Sequence, residues 1–298
     1  MPLDFITLRL FCDIVETGSF SRTAEKNFVS QSAVSQRIHA LERDLGQSLL
    51  ERGKGSGKIT PSEAGQLLFE GALLLLKEAS ELEARLRGLS DEIAGTVRVA
   101  TVYSVGLHAL PGRLKPFLAN HPQVNVHLEY SQTQKISQDV LLGLVDVGIV
   151  ACPSEKAGIE IIPFGEEKMA LICALENPLA KRELISLSDL EGVAFIGFAA
   201  DIPTRRLIDE RLTSARVRVK LVASFDNIET IKNLVEIGSG VALVPEETAK
   251  QEVRDGELAV VHLSKESEFY RPVGLLLKRS GTRRAAVRAF CDAMHLTP

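Results

Sequence analysis

Apolar residues recur every three or four positions through the first fifty residues, and this period predicts short amphipathic helices. The first stripe covers residues 5–15 and stops before Gly18, a residue that suits a helix C-terminus. Ser19 and Ser30 stand where the N-caps of two further helices are expected. Only Phe28 and Val29 separate the second helix from Ser30, and this tight spacing predicts a helix-turn-helix.

The third helix, predicted over residues 31–45, has one apolar and one polar face. Its buried stripe would consist of Ala33, Val34, Ile38, Leu41 and Leu45. Glutamine pairs with adenine in the major groove of DNA, and serine pairs with either base of a pair. The candidate DNA-binding residues on the polar face are therefore Ser30, Gln31, Ser32, Ser35, Gln36 and Arg37; Arg37 can reach a base or a phosphate, and the phosphate is favoured.

Three glycines alternate with basic residues over residues 52–58. The segment is not a phosphate-binding P-loop, because Ile59 follows Lys58 where that motif requires Ser or Thr. One interpretation is a surface loop. Next to a helix-turn-helix, the alternative is a wing whose Arg52, Lys54 and Lys58 contact DNA phosphates.

A long helix is predicted from a capping box at residues 60–63, with Pro61 in its first turn, to about residue 89. Its apolar positions alternate in steps of four and three, which is the pattern of a coiled-coil seam. The candidate dimerisation residues on this seam are Leu68, Leu75, Leu82 and Leu86. A helix packed on its own domain is the alternative, because Leu73, Leu74 and Leu76 widen the apolar face.

From residue 96 onward, predicted strands alternate with helices, so we expect an α/β domain with mainly parallel sheets. The strands are predicted over residues 97–102, 124–130, 146–151, 169–174, 194–198, 217–223, 241–244, 258–263 and 273–277. Two such runs in about two hundred residues predict two subdomains that share a cleft. Ligands are expected outside the C-terminal ends of the strands.

Polar residues follow several of these strands and begin the next helices. They include Ser104, Thr133, Asp201, Thr204 and Asn227. Helix N-termini that converge on a cleft favour an anionic ligand, so these residues are candidates for binding a small anionic effector. The alternative is that each polar residue only caps its own helix.

Composition limits the remaining functions. The chain of 298 residues has a net charge of −4, but residues 19–60 carry seven basic and four acidic residues, a local net charge of +3. No apolar run approaches the ~20 residues of a membrane span, so we expect a cytoplasmic protein without a membrane partner. The four cysteines are far apart and are expected to be buried apolar residues; a redox pair of Cys152 and Cys173 is the weaker alternative. We find no motif for a metal, a cofactor or a catalytic nucleophile, and therefore expect no enzyme.

The N-terminal third resembles the LysR-type transcriptional regulators. The resemblance is carried by Phe11, Gly18-Ser19-Phe20, Ala24, the run from Val29 to Ser35, Ile38, Ala40-Leu41-Glu42, Leu45-Gly46, Leu49, Arg52, Thr60 and Ala64-Gly65. The rest is similar in layout, with Leu110-Pro111, His121-Pro122, Asp146-Val147-Gly148 and the run from Gly238 to Pro245. The sequence departs at Ser32, Arg37 and Leu50, where the family often has Pro, Gln and Phe.

The resemblance implies an all-α winged helix-turn-helix over residues 1–60, a dimerisation linker helix over 61–90 and an effector-binding domain over 95–298. That domain would be similar to periplasmic binding proteins, with subdomain I at about 95–164 and 270–298 and subdomain II at about 165–269. The implied partners are a double-stranded DNA operator, a small-molecule effector, RNA polymerase and further copies of the chain, as homodimers that pair into tetramers; no cofactor is implied. The effector-binding positions implied are Ser104, Val105, Thr133, Phe198, Ala199, Asp201, Thr204 and Asn227. A solute-binding protein and a cleft enzyme are the disfavoured alternatives.

Overall fold

The computed structural model of the protein describes residues 3–52, 59–87, 93–279 and 283–295. The chain divides into two compact units, residues 1–91 and residues 92–298. None of the described helices is both long enough and apolar enough to cross a membrane.

The first unit is mainly helical. Its elements are α1 (Phe5–Thr17), α2 (Phe20–Lys26), α3 (Gln31–Leu45), β1 (Leu50–Arg52), β2 (Ile59–Pro61) and α4 (Glu63–Arg87). Ser19 and Ser30 cap α2 and α3, since their hydroxyls accept from backbone N–H groups three residues on. Gly18 ends α1 with a φ of 64°, a conformation in which an L side chain would be strained. The predicted helices and caps of the helix-turn-helix are thereby confirmed.

One hydrophobic core holds these helices together. Phe11 and Ile14 of α1 pack against Val34, Ile38 and Leu41 of α3, and all five side chains are buried. Burial of an apolar side chain of this size stabilises a fold by ~1.5–3 kcal/mol, so the polar face of α3 is fixed outward.

The start of α4 differs from the prediction. Thr60 and Pro61 belong to β2, where they pair with Glu51 and Leu50 of β1. Ser62 caps the helix instead, because its Oγ accepts from Gly65 N at 3.0 Å. A side chain at Gly65 would overlap the carbonyl oxygen of Leu49, which explains why glycine is needed where α4 meets the hairpin.

The two faces of α4 have different surroundings. Leu68 packs against a small core that includes Leu8 and Cys12 of α1, so part of its side chain is used within its own domain. Leu75 and Leu82 are 48% and 52% exposed. The side chain of Leu86 lies outside the described part of the helix.

The second unit contains the remaining strands and helices. The strands are β3 (Gly95–Thr101), β4 (Val124–Tyr130), β5 (Val147–Ala151), β6 (Ile159–Cys173), β7 (Leu184–Ile185), β8 (Ala194–Phe198), β9 (Lys220–Phe225), β10 (Ala242–Pro245), β11 (Ala259–Leu263) and β12 (Tyr270–Lys278). The α-helices are α5 (Pro111–Asn120), α6 (Thr133–Leu142), α7 (Pro203–Ser214), α8 (Ile228–Glu236), α9 (Lys250–Asp255) and α10 (Ala285–His295). A single π-helical turn, Val105–Ala109, precedes α5.

The strand pairing is mixed, which corrects the expectation of mainly parallel sheets. The order β4-β3-β5-β12-β6-β11-β7 includes parallel pairs at β3–β4 and β3–β5, whereas β12 pairs antiparallel with both β5 and β6. The N-terminal half of β6 was not predicted, because Pro163 and Gly165 interrupt its apolar pattern. A register shift at these residues accommodates the proline in the ladder with β12.

Two large cores lie on either side of the β6–β12 ladder. One is built around Val99, Ile149 and Phe290, and the other around Leu171, Ile196 and Ile231. We call these halves subdomain I and subdomain II. β6 runs from one half into the other, because Phe164 belongs to the first core and Met169 to the second. Residues in the middle of β6, and the β12 residues paired with them, therefore lie between the two subdomains.

Candidate functional site

The polar face of α3 is open to solvent. Gln31, Ser32, Gln36 and Arg37 are exposed and Ser35 is half-buried. Ser21 of α2 donates to Gln31 Oε1 at 2.9 Å, and this contact orients the amide at the start of the helix. The predicted base-contacting side chains therefore share one surface, while the fully buried Val34, Ile38 and Leu41 hold the helix from behind.

Arg37 leans away from this surface, toward α1. Its Nη1 lies 3.4 Å from Thr7 Oγ1 and 3.8 Å from Asp4 Oδ1. Hydrogen bonds from Thr7, together with the guanidinium charge, lower the pKa of Asp4. An exposed ion pair contributes only ~0–1 kcal/mol, so a DNA phosphate can compete for Arg37.

The strands β1 and β2 form an antiparallel hairpin base beside α3. Glu42 of α3 fixes this base, because its Oε1 accepts from Leu49 N at 2.9 Å. The tip of the predicted wing, including Lys54 and Lys58, and the side chain of Arg52 lie outside the described residues.

A cavity of about 280 Å³ lies between subdomains I and II. Four of the predicted effector-binding residues line it: Ser104 and Thr133 from subdomain I, and Phe198 and Thr204 from subdomain II. The other lining residues are Val102, Tyr103, Tyr130, Ser131, Gln132, Lys135, Ala151, Ile202, Pro203, Asp226, Ile228 and Arg271.

Arg271 dominates the buried end of the cavity, where its side chain is 1% exposed. It stands directly opposite Glu167 in the β6–β12 ladder, and its Nε and Nη2 donate to Glu167 Oε2 at 2.8 and 2.5 Å. Nη1 donates to Ser104 Oγ at 3.1 Å and to Thr204 Oγ1 at 3.3 Å. One guanidinium thus contacts both walls of the cavity.

Two further polar groups lie near this arginine. The second oxygen of Glu167, Oε1, is buried and has no hydrogen-bond partner among the residues that the structure describes. Cys152 follows β5 in a left-handed conformation, with a φ of 48°. Burial raises the pKa of its thiol, although the Arg271 guanidinium opposes the shift, so Cys152 is a neutral neighbour at ordinary pH.

The outer end of the cavity is aromatic and polar. The rings of Tyr103 and Tyr130 stack in parallel with centroids 4.9 Å apart, and both residues are partly exposed. Lys135 of α6 lines the cavity, and its Nζ lies 2.6 Å from Asp139 Oδ2.

The other four predicted effector-binding residues do not line the cavity. Val105 is fully buried in the core of subdomain I, behind Ser104. The N–H of Ala199 donates to Phe225 O at 2.8 Å and is not free for a ligand. Asp201 is exposed outside the lining, and Asn227 caps α8 by accepting from Glu229 N at 2.8 Å. Asn227 therefore caps its own helix, which was the alternative to a contact with the effector.

Sequence reasoning missed Arg271, and with it the charge at the buried end. The site was expected to need no buried lysine, because helix ends and neutral donors would share the charge. Arg271 precedes Pro272 and lies outside the predicted strand 273–277, so no strand pattern pointed to it. Its partner Glu167 lies 104 residues away in the chain. The stacked tyrosines and Lys135 were also missed as lining residues, whereas Asp226 lies in the turn that was expected to form part of the cleft wall.

A second contact joins the two subdomains beside the cavity. His108 Nε2, in the π-helical turn, lies 2.9 Å from Glu229 Oε1 at the start of α8. Burial alone would raise the pKa of Glu229, but hydrogen bonds from His108 and Lys232 outweigh it and lower this pKa. Among the described residues, no group of three or more His, Cys, Asp or Glu side chains is placed to hold a metal ion.

Two family models match the chain. Residues 5–66 match the model described as "Bacterial regulatory helix-turn-helix protein, lysR family". Residues 90–296 match the model described as "LysR substrate binding domain". Together they cover most of the sequence, and each coincides with one of the two structural units.

Individual proteins show the same similarity. A probable RuBisCO transcriptional regulator of Synechocystis sp. is 30% identical, over 97% of this chain and 85% of that protein. OxyR of Corynebacterium glutamicum, solved as a mutant with bound H2O2, is 26% identical to this chain. The alignment covers 98% of this chain and 93% of the OxyR chain, with a TM-score of 0.64. Full-length CbnR complexed with its target DNA is 21% identical, with a TM-score of 0.77, over 98% of this chain and 99% of that one.

Proposed function

The chain belongs to the LysR family of bacterial transcriptional regulators, and we propose that it reads its operator with α3 under the control of a small carboxylate bound between subdomains I and II. Regulation of DNA binding by an effector is the function of this family. The choice of α3 residues, the carboxylate and the cavity are our proposals. A solute-binding protein or a cleft enzyme does not account for the helix-turn-helix unit.

DNA reading is assigned to the exposed face of α3. Gln31, Ser32, Ser35 and Gln36 contact base edges in the major groove, where their amides and hydroxyls discriminate between base pairs. Ser30 and Arg37 contact the phosphate backbone. The proposal rests on the exposure of these side chains on a helix whose opposite face is buried.

The hairpin of β1 and β2 positions the wing. Arg52, Lys54 and Lys58 contact phosphates or the minor groove, which adds affinity with little sequence information. CbnR has been crystallised with its target DNA, and its similar fold is compatible with this arrangement. Because an operator-binding protein acts on the chromosome, we place the protein in the cytoplasm.

Dimerisation is assigned to α4. Leu75 and Leu82 are about half exposed on the described part of the helix, and a second copy would bury them in an antiparallel or parallel helix pair. Two recognition helices in one dimer read two half-sites, which explains why such a regulator gains from pairing. Pairing of dimers into tetramers remains part of the proposal.

One observation carries the effector assignment: the buried guanidinium of Arg271 donates to a hydroxyl on each wall of the same cavity. A carboxylate is a good acceptor for converging N–H and O–H donors, and charge-assisted hydrogen bonds of this kind are short and strong. A ligand held between the walls changes the angle between the subdomains only if it binds the conformation with one angle more tightly than the conformation with the other.

The test uses the intact protein and a Ser104→Val variant, which is nearly isosteric but lacks the hydroxyl. An operator is first selected from random duplexes, and small carboxylates that change its gel shift are then identified with the wild type. The variant should bind the operator normally and lose the response to those carboxylates. Ser137→Val is the matched control, because it removes a hydroxyl from subdomain I outside the cavity lining. Failure to select any duplex, or a normal response of Ser104→Val, would refute the proposal.

A further inference from the structure

Only some of the charged residues that line the cavity have an ion-pair partner of opposite charge. Lys135, Asp226 and Arg271 are its charged residues. Both cations already have a carboxylate partner outside the lining, since Lys135 pairs with Asp139 and Arg271 with Glu167. The side chain of Asp226 has no hydrogen bond or ion pair within the described part of the chain. The uncompensated charge of the lining is therefore negative.

The buried end offers hydrogen-bond donors. A guanidinium has five N–H groups, and four of those of Arg271 are used by Glu167, Ser104 and Thr204. Ser104 Oγ accepts from Arg271 and keeps its own proton to donate, whereas the Thr204 hydroxyl also hydrogen-bonds the Cys152 thiol. The fifth N–H of Arg271 and the Ser104 proton suit one acceptor group. Because Glu167 already compensates the guanidinium, this end suits a singly charged carboxylate better than a dianion such as phosphate.

The volume and the lining of the cavity limit the size and polarity of the ligand outside its carboxylate. At about 280 Å³, the cavity lies just below the ~300 Å³ at which pockets for drug-sized ligands begin. Phe198, Ile202 and Ile228 line one side, and the stacked rings of Tyr103 and Tyr130 line the outer end. A short apolar side chain or a single ring fits this lining.

We infer that the effector is a zwitterion of amino-acid size. Its carboxylate lies at Ser104, Thr204 and Arg271, and its ammonium group pairs with Asp226. This inference rests on the proposed function of the cavity. It adds an ammonium group to the carboxylate ligand proposed above. Asp226 thereby selects an amino acid over the corresponding acid that lacks the amine.

A simpler role for Asp226 is electrostatic support of α8, which begins two residues later at Ile228. Acidic groups near a helix N-terminus stabilise the helix through its dipole. That role predicts a change of stability and no change of ligand preference. Ligand selectivity therefore separates the two roles.

The experiment compares ligand pairs that differ only in the amino group. Calorimetric titrations of the full-length protein use alanine and propionate, leucine and 4-methylpentanoate, and phenylalanine and 3-phenylpropionate, with inorganic phosphate as the dianion. The amino acid of at least one pair should bind about fivefold more tightly than its partner, which corresponds to the ~1 kcal/mol of a good exposed ion pair. Asp226→Asn should reduce this ratio to about one.

Asp201→Asn is the matched control, because it removes the same charge from an exposed position of the same subdomain outside the lining. It should keep the wild-type ratio. Tighter binding of the deaminated acids or of phosphate, an unchanged ratio in Asp226→Asn, or no binding of any amino acid of the set would overturn the inference. Operator selection with the same preparations tests the regulatory function separately, so failure of the zwitterion leaves that result standing.

Discussion

Replacement of Arg271 by Met tests how the two subdomains are held together. Arg271 and Glu167 are opposite each other in the β6–β12 ladder, and the arginine is 1% exposed. The variant fills much of the same volume but removes the guanidinium. It leaves the Glu167 carboxylate buried, with Oε1 already lacking a partner among the described residues.

The expected loss follows from this geometry. Removing one member of a buried ion pair costs about 3–5 kcal/mol, because the remaining charge is left without compensation. For a domain of this size, ~1 kcal/mol lowers the melting temperature by about 2–4 °C. Arg271→Met should therefore melt roughly 10 °C below the wild type. Glu167→Leu should have a similar effect, since it leaves the guanidinium unpaired.

Combining the two substitutions provides the control. Apolar replacement of a complete buried ion pair is often neutral in stability, so Glu167→Leu with Arg271→Met should recover most of the loss. The chain has three tyrosines and no tryptophan, and Tyr103, Tyr130 and Tyr270 all lie in the second unit. Tyrosine fluorescence therefore follows unfolding of that unit within the full-length protein. A single variant that melts within about 2 °C of the wild type, or a double variant as unstable as the sum of the singles, would refute the assigned pair.

Three other predictions address the remaining surfaces. Gln36→Ala should relax selectivity at one operator position by ~1–3 kcal/mol, measured on single-base operator variants; equal affinity losses on all variants would contradict a base contact. Leu75→Asp with Leu82→Asp should convert dimers to monomers in light scattering, because an unpaired charge in an apolar seam costs several kcal/mol; an unchanged mass would exclude this seam. Burial raises the pKa of both thiols, that of Cys173 to about 11, but only Cys152 is partly accessible, so iodoacetamide at pH 8 should modify Cys152 well before Cys173 in mass spectra, and equal rates would contradict the burial of Cys173.

The sequence predicted those features that depend on neighbours in the chain. Gly18, Ser19 and Ser30 delimit α1, α2 and α3 through local caps and a positive φ, so the helix-turn-helix follows from spacing alone. At the start of α4 the predicted capping box at residues 60–63 was wrong. Both Thr60 and Ser62 can cap a helix, and the pairing of β2 with β1 decides for Ser62.

Features that depend on pairing between distant segments were not predictable in this way. The N–H of Ala199 was expected to face a ligand, but β9 extends to Phe225 and takes that N–H into its ladder. Arg271 is buried because β12 lies next to β6, and a single sequence contains no period that reveals this register. Helix ends and hydroxyl donors were expected to bind the effector, whereas the structure adds a compensated guanidinium at the buried end.

The contacts that span the cleft determine what an effector must supply. Arg271 joins Ser104 and Thr204, and His108 joins Glu229, so the protein itself connects the two walls at two places. A hydrogen bond to a charged group contributes about 1.5–3 kcal/mol, and ~1.4 kcal/mol is a tenfold change in a population. Gaining or losing a single hydroxyl contact to the guanidinium or to a carboxylate can therefore shift the balance between two subdomain angles by about tenfold or more. A carboxylate that binds the Ser104 hydroxyl in only one of these angles has the differential affinity that regulation requires, whereas equal binding to both would shift nothing.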